Sequence, residues 1–138
     1  MNHWVVCITD DNLRISLREK VIGFAESKRA VLKSFQPGDL VVFYVSRESL
    51  SSAKRIGKFI GLAEVVSQSY HSSVPIWNHG VFPQRIDIEP VFEKSCDVKT
   101  LLDRLRFIKN KTSWGASFLS GILKIPHDDF DTIRENMK

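Results

Sequence analysis

The sequence predicts an α+β fold, a small mixed β-barrel with short helices packed at its ends. Residues 39–46 and 57–69 form two long runs of mainly β-branched, aromatic and other apolar side chains. Such continuous runs suit strands buried on both faces or rolled into a barrel, and not an open sheet with one wet face. Residues 81–92 alternate polar and apolar side chains, which is typical of a third strand. Beyond Ser95 the apolar residues recur at helical spacing.

The first third of the chain predicts a strand followed by a helix. Residues 3–9 are rich in β-formers and predict the strand. Asp10 and Asp11 offer an N-cap for an amphipathic helix over residues 11–20, which we expect Gly23 to end. The apolar positions that indicate this helix are Leu13, Leu17 and Val21. Residues 30–35 then connect the helix to the central strand.

The central strand follows a turn, because Pro37 presets φ, Gly38 tolerates positive φ and Asp39 can bond its own backbone two residues on. We expect residues 39–46 to be core. Residues 47–55 are rich in serine and charge, which predicts an exposed hairpin loop before the next strand. Gly57 and Gly61 within that strand indicate a bulge or a sharp bend.

The last half of the chain predicts a loop, a strand and three short helices. Residues 70–80 form the loop. Pro83 and Pro90 bracket the strand 81–92, so we expect it at a sheet edge. The helices are indicated by apolar positions behind polar capping residues. The members of the three helices are Val98, Leu101, Leu102 and Leu105; Trp114, Phe118, Leu119 and Ile122; and Phe130, Ile133 and Met137.

The length, the net charge and the cysteine positions restrict the functions that the chain can have. The 138 residues predict one domain over 1–138, and no apolar run approaches the ~20 residues of a membrane span. The N-terminus has no basic region or cleavage site of a signal peptide, and Cys7 and Cys96 lie far apart. We therefore expect a cytoplasmic chain with reduced thiols. The net charge of +4 permits a nucleic-acid partner, and is equally compatible with solvated basic faces.

Seven ordered segments together resemble the EVE domain family, a branch of the PUA-like superfamily related to YTH domains. The resemblance covers essentially the whole chain. Its segments are Trp4; Lys20-Val21-Ile22-Gly23-Phe24; Gln36-Pro37-Gly38-Asp39 with Val42-Phe43-Tyr44; Ile60-Gly61-Leu62-Ala63-Glu64-Val65; Phe82-Pro83-Gln84-Arg85-Ile86; Leu105-Arg106-Phe107-Ile108-Lys109-Asn110-Lys111 with Trp114 and Phe118; and Ile125-Pro126 with Asp129-Phe130.

The resemblance implies a PUA-like barrel that binds DNA or RNA and holds a modified base in an aromatic pocket. An unstacked base needs aromatic faces and a few polar groups that can bond its edge. The candidate ligand-binding residues are Trp4, Gly23, Phe24, Asn110, Trp114 and Phe118. We expect Trp114 and Asn110 to share one pocket with Gly23 or Phe24. The candidate contacts to the nucleic-acid backbone are Lys28, Arg29, Arg106, Lys109 and Lys111.

Core roles are also open for two of these aromatics. Phe118 lies four residues after Trp114, which is helical spacing, and Trp4 lies in a strand. One position departs from the family pattern: Ile22 stands where a tryptophan usually precedes the glycine, so the relatives' fine base specificity does not carry over.

Two other functions compete with a non-catalytic binding module. Lys111 and Thr112, beside Ser113, resemble a pair with which PUA-like relatives hydrolyse acylated nucleosides, although no general-base glutamate is evident. The other alternative is an interaction module with a vestigial pocket. His71 and His79 lack cysteine partners at zinc-site spacing, so we expect neither a metal nor a cofactor, and we expect a monomer without a membrane partner.

Overall fold

The computed structural model describes residues 1–138 and contains seven strands, three α-helices and three short 3₁₀ helices. The strands are β1 (His3–Ile8), β2 (Val21–Phe24), β3 (Leu40–Arg47), β4 (Arg55–Val65), β5 (Tyr70–His71), β6 (Gln84–Asp97) and β7 (Ile122–Lys124). The α-helices are α1 (Asp10–Glu19), α2 (Arg29–Leu32) and α3 (His127–Asn136). The 3₁₀ helices are Glu26–Lys28, Val98–Arg104 and Trp114–Phe118.

All seven strands join one mixed, curled sheet in the order β2-β6-β4-β3-β1-β7, with β5 paired to β6. The β1–β3 pair is parallel, and the other pairs are antiparallel. The predicted α+β class, with a barrel-like sheet and flanking short helices, is therefore confirmed. The four strands predicted from the longest patterns all lie in this single sheet.

The central strands are continuously apolar because the sheet is covered on both faces. Along β3, Val41 and Phe43 belong to one hydrophobic cluster, whereas Val42 and Tyr44 belong to another. The first cluster includes α1 and α2 side chains, and the second includes side chains from the last 3₁₀ helices and α3. Since successive side chains of a strand point to opposite faces, both faces need apolar residues.

Helix α1 matches its predicted range closely, but its end differs from the prediction. Lys20 adopts the left-handed conformation, with φ of 58°, and ends the helix. Gly23 lies instead inside β2, paired with Arg85 of β6. The prediction that Gly23 ends a helix is wrong. A four-residue strand is selected by its distant partner and leaves little local pattern.

Strand β4 carries the irregularities that its glycines predicted. Gly57 and Gly61 have φ of +66° and +81°, and the β3–β4 register shifts at both places. These shifts bend the strand and help to curl the sheet. Residues 48–54 form the expected exposed connection between β3 and β4.

Strand β6 is longer than predicted, and the predicted edge position applies only to its second half, which pairs with β4 alone. It lies between β2 and β4, pairing residues 84–87 with β2 and residues 88–97 with β4. Pro90 is accommodated beyond the end of the β2 pairing, next to a register shift opposite Ala63. Ile122, predicted to be helical, opens β7. None of the helices has both the length and the apolar character needed to cross a bilayer.

Candidate functional site

A cleft of about 200 Å³ opens where several elements meet at the ends of the parallel strands β1 and β3. Thr9 and Asn12 lie at the start of α1, and Ser46 and Arg47 end β3. The lining is completed by Cys7 and Ile8 of β1, Gly23 of β2, Leu50, and two aromatic residues of the β5–β6 connection. Those aromatics are Trp77 and Phe82. We call this space the Trp77 cleft.

The indole of Trp77 packs directly against the backbone of Gly23. A Cβ atom at Gly23 would lie 2.5 Å from both Cη2 and Cζ3 of Trp77, and 2.9 Å from Cβ of Phe82. No side chain fits there, so the glycine is what allows the tryptophan to reach the sheet. The Trp77 Nε1–H donates to Ser16 Oγ at 2.8 Å, which fixes the ring orientation.

Arg85 holds the β5–β6 connection in place from inside the protein. Its side chain is buried, and its Cζ lies 5.0 Å from the centroid of the Trp77 ring. The guanidinium donates to the carbonyls of Phe82 (3.2 Å), Val81 (3.0 Å) and Val74, and to Ser72 Oγ (3.0 Å). Arg85 thus covers part of the indole, and Trp77, which is 8% exposed, presents only its remaining open surface to the cleft.

The same connection is bound to helix α1 from the opposite side. Asn12 Nδ2 donates to the carbonyl of Asn78 at 3.4 Å, and the Asn78 N–H donates back to Asn12 Oδ1 at 3.1 Å. Asn78 Nδ2 donates to Asp11 Oδ2 at 3.1 Å. Burial opposes ionisation of Asp11, but hydrogen bonds from Thr9, Asn78 and Asn12 outweigh it and lower the pKa of this carboxyl below 3.8.

The cleft lining retains hydrogen-bonding capacity after these internal contacts. The Asn12 amide keeps one N–H and one lone pair, and Thr9 Oγ1, which donates to Asp11, still accepts. Ser46 and Arg47 are partly exposed, and Arg47 makes no salt bridge. The cleft therefore combines flat aromatic surface with donors, acceptors and one cation.

Three of the aromatics predicted to bind ligand are packed in the protein core. Trp4 is 3% exposed, stacks on Phe35 with 4.0 Å between ring centroids, and donates its Nε1–H to Asp39 Oδ2. Phe24 belongs to the same core cluster, and Phe118 stacks on Tyr44 with 3.9 Å between centroids. These residues do not line the Trp77 cleft and are packed within the two hydrophobic clusters.

The expected pocket shared by Trp114, Asn110 and Gly23 is not present. Gly23 lines the Trp77 cleft, whereas Trp114 lines a second cleft beside Tyr44 and Gly57. Asn110 lines neither, and its Oδ1 accepts the backbone N–H groups of Thr112 and Ser113 at 3.1 and 2.9 Å. These bonds hold the turn before the 3₁₀ helix Trp114–Phe118. Of the predicted set, only Gly23 is at the Trp77 cleft.

None of the predicted backbone-binding cations lines the Trp77 cleft. Lys28 and Lys111 donate to the carbonyls of Ser120 and Leu105, both at 2.7 Å. Arg106 pairs with Asp128 at 2.7 Å. Arg29 lines a separate polar cleft, and Lys109 is exposed. Their contact with nucleic acid stays a prediction.

Sequence reasoning missed the residues that define the Trp77 cleft. Trp77 was assigned only to a loop, although a large aromatic within a polar segment containing Pro75, Asn78 and Gly80 is an available signal. Asn12 carried no signal of its own. Ile22, at the position of the family's usual tryptophan, is fully buried, and the ring that packs on the neighbouring Gly23 comes from Trp77 instead.

A curled mixed sheet with short helices on both faces defines a PUA-like protein. The family model described as the EVE domain matches residues 2–136, and the chain belongs to this family. A UPF0310 protein of Pyrococcus abyssi is 32% identical over 96% of this chain and 97% of its own length. A UPF0310 protein of Pyrococcus horikoshii is 29% identical over 98% of both chains.

Solved structures of low sequence identity share the fold. The Pho92 YTH domain, solved in complex with m6A, superposes with a TM-score of 0.67 at 16% identity, covering 97% of this chain and 81% of that one. Human THYN1, solved in complex with 5-methylcytosine-containing DNA, gives a TM-score of 0.59 at 12% identity, covering 96% and 95%.

Proposed function

We propose that this chain is a non-catalytic nucleic-acid-binding module that accepts one modified base in the Trp77 cleft. The observation that carries the proposal is the arrangement of Trp77. Its indole packs on Gly23, Arg85 covers part of it, and hydroxyl and amide groups of Thr9, Asn12 and Ser46 line the same space. Stacking and edge recognition are the two interactions that hold an extruded base.

The size and lining of the cleft support a base as ligand. Its volume of about 200 Å³ is below the about 300–1,000 Å³ of sites for drug-sized ligands, and suits a single ring system. Its lining includes no Lys, His, Asp or Glu, and its one thiol, Cys7, has a pKa that burial raises to about 12, so the nucleophilic thiolate is disfavoured. The residues of the hydrolase alternative, Lys111 to Ser113, lie outside it. These features favour binding over catalysis.

Relatives of the same fold support a modified base as the specific ligand. The Pho92 YTH domain was solved with m6A and THYN1 with 5-methylcytosine-containing DNA. The net charge of +4 and the cation of Arg47 at the cleft are compatible with a polyanion. RNA and DNA probes, each with and without a modified base, are therefore needed to determine which polymer and which modification the chain binds.

The test is fluorescence anisotropy with short single-stranded RNA and DNA carrying a central adenine, N6-methyladenine, cytosine or 5-methylcytosine. We expect tighter binding to one modified probe than to its unmodified partner. Trp77→Ala should weaken that binding by about 1–3 kcal/mol, through loss of stacking. Arg47→Gln should weaken modified and unmodified probes alike, because a phosphate contact carries no sequence information.

Leu62→Ala is the matched control for a loss of stability alone. Leu62 is buried in the cluster away from the cleft, and its truncation should cost about 2–5 kcal/mol of unfolding free energy while the folded protein keeps its affinity. Wild-type protein that binds no probe, or a Trp77→Ala variant that is folded and binds as wild type does, would contradict the proposal.

A further inference from the structure

A second cleft, of about 270 Å³, adjoins the Trp77 cleft along the end of strand β3. Ser46 lines both spaces, so they share a rim. The second cleft runs across the β3–β4 hairpin to the start of the 3₁₀ helix Val98–Arg104, and its aromatic wall is Trp114 beside Tyr44. We call it the Trp114 cleft. A ligand that extends from the first space along β3 enters the second.

Trp114 is placed as an open aromatic surface. Its ring is partly exposed and meets Tyr44 and Phe118 edge-on, at 89° and 86° with 6.3 Å between centroids in both pairs. Those two rings stack on each other in the core, whereas Trp114 stacks on no aromatic ring. Gly57 lies opposite, and the position of a Cβ there is 3.5 Å from Cη2 of Trp114. The glycine places no side chain against this end of the indole.

Cations without acidic partners surround the rim between the two clefts. Arg47 and Arg55 are register partners across β3 and β4, and neither is in a salt bridge. Arg55 lines the Trp114 cleft together with Lys99, and both are exposed. The one carboxylate in the lining, Asp97, accepts the backbone N–H of Lys99 at 2.9 Å and caps the 3₁₀ helix. The rim thus carries an excess of positive charge.

We propose that the Trp114 cleft is a second subsite, which stacks the base of the nucleotide adjacent to the modified one. This inference rests on the proposed function of the Trp77 cleft. In this arrangement the neighbouring base lies on Trp114, and the phosphate that joins the two nucleotides lies against Arg47 and Arg55. The module then binds a dinucleotide step of a single strand, and not an isolated base.

The experiment uses the modified oligonucleotide that the wild-type protein prefers, with an abasic residue on the 5′ or the 3′ side of the modified base. We expect one of the two substitutions to weaken binding on the order of tenfold, as the loss of one stacked base does. Trp114→Ala should weaken binding to the intact probe by a similar factor, and should cause no further loss with that abasic probe.

A charge variant keeps the test independent of the packing of Trp114. Arg55→Gln with Lys99→Gln removes two cations that line the Trp114 cleft, and should lower the slope of log affinity against log salt by about 0.7 for each phosphate contact that is lost. Lys94→Gln with Lys124→Gln removes the same charge from exposed positions outside both clefts, and should leave the slope unchanged.

The outcomes separate the two proposals. Preference for the modified base with no effect of either abasic position, or equal effects of the two charge variants, overturns the second subsite and leaves the Trp77 cleft intact. If the wild-type protein binds modified and unmodified probes equally well, both proposals are overturned. Coupled losses from Trp114→Ala and one abasic position support the second subsite.

Discussion

Gly23 shows at the scale of one residue how the candidate site depends on a missing side chain. Its backbone contacts the indole of Trp77, which is hydrogen-bonded to Ser16 and covered by Arg85. The ring therefore has little freedom to move away from Gly23. Gly23→Ala should therefore act as overpacking, with about 1–3 kcal/mol lost from the free energy of unfolding and weaker binding of the modified probe. Urea denaturation and anisotropy measure the two effects.

Gly115→Ala is the matched control for the loss of a glycine. A Cβ at Gly115 would meet nothing within 4 Å, so this variant should unfold at nearly the urea concentration of the wild type. Equal stability and equal affinity of the two glycine variants would show that the indole does not need the space over Gly23.

Individual residues were predictable where their role is local, and were missed where it depends on distant partners. Asp39 was correctly placed in a turn, and it accepts the Gln36 N–H at 3.0 Å. Its bonds to Asn2 and Trp4 involve a strand more than thirty residues away, which no turn pattern reveals. The same holds for Trp77, because the position of its ring depends on contacts with Gly23 and Arg85 in two other strands.

The connection between β5 and β6 is the element on which the candidate site depends, and Arg85 organises it. Arg85→Lys keeps the charge but loses the planar fork that serves three carbonyls and a hydroxyl. Buried acceptors left without donors should reduce stability by about 1–3 kcal/mol. We expect faster hydrogen exchange over residues 72–83, and weaker binding of the modified probe.

Arg106→Lys provides the control for the same chemical change at an exposed site. Arg106 pairs with Asp128 on the surface. A substitution there should change the free energy of unfolding by no more than about 0.5 kcal/mol. Exchange in residues 72–83 that is as slow in Arg85→Lys as in wild type would show that the connection is held without the guanidinium.

Long elements were predictable, and short ones were not. β3 and β4 were evident because long segments of mainly apolar, β-branched and aromatic residues between turn signals are typical of buried strands. β2 and β7 have four and three residues, and their strand conformation comes from pairing with β6 and β1. β6 was placed at an edge because of Pro90, and this proline lies beyond the β2 pairing, where β4 is the one partner strand; the first half of β6 pairs on both sides.

At the scale of the whole molecule, contacts between the first strand and the last helix hold the two ends of the chain together. His3 of β1 lies 4.8 Å from the ring centroid of Phe130 in α3, and its Nε2 is 3.3 Å from Nδ1 of His127. Burial first, and then the charges of His127, the N-terminus and Arg134, lower the pKa of His3 below 6.5, while Asp131 opposes this. The fold therefore favours the neutral imidazole.

This preference predicts how the stability of the whole chain depends on pH. Between the lowered pKa of folded His3 and 6.5, the unfolded chain binds more protons, so stability is complete above that range and declines as pH falls through it. The urea concentration at the unfolding midpoint should be lower at about pH 5.5 than at about pH 7.5. His3→Gln should reduce this fall, whereas His71→Gln at an exposed site should not. Asp11 and Asp39, whose pKa values are below 3.8, lose their contributions only at lower pH, outside this window. An unchanged pH dependence in His3→Gln would place the sensitive group elsewhere.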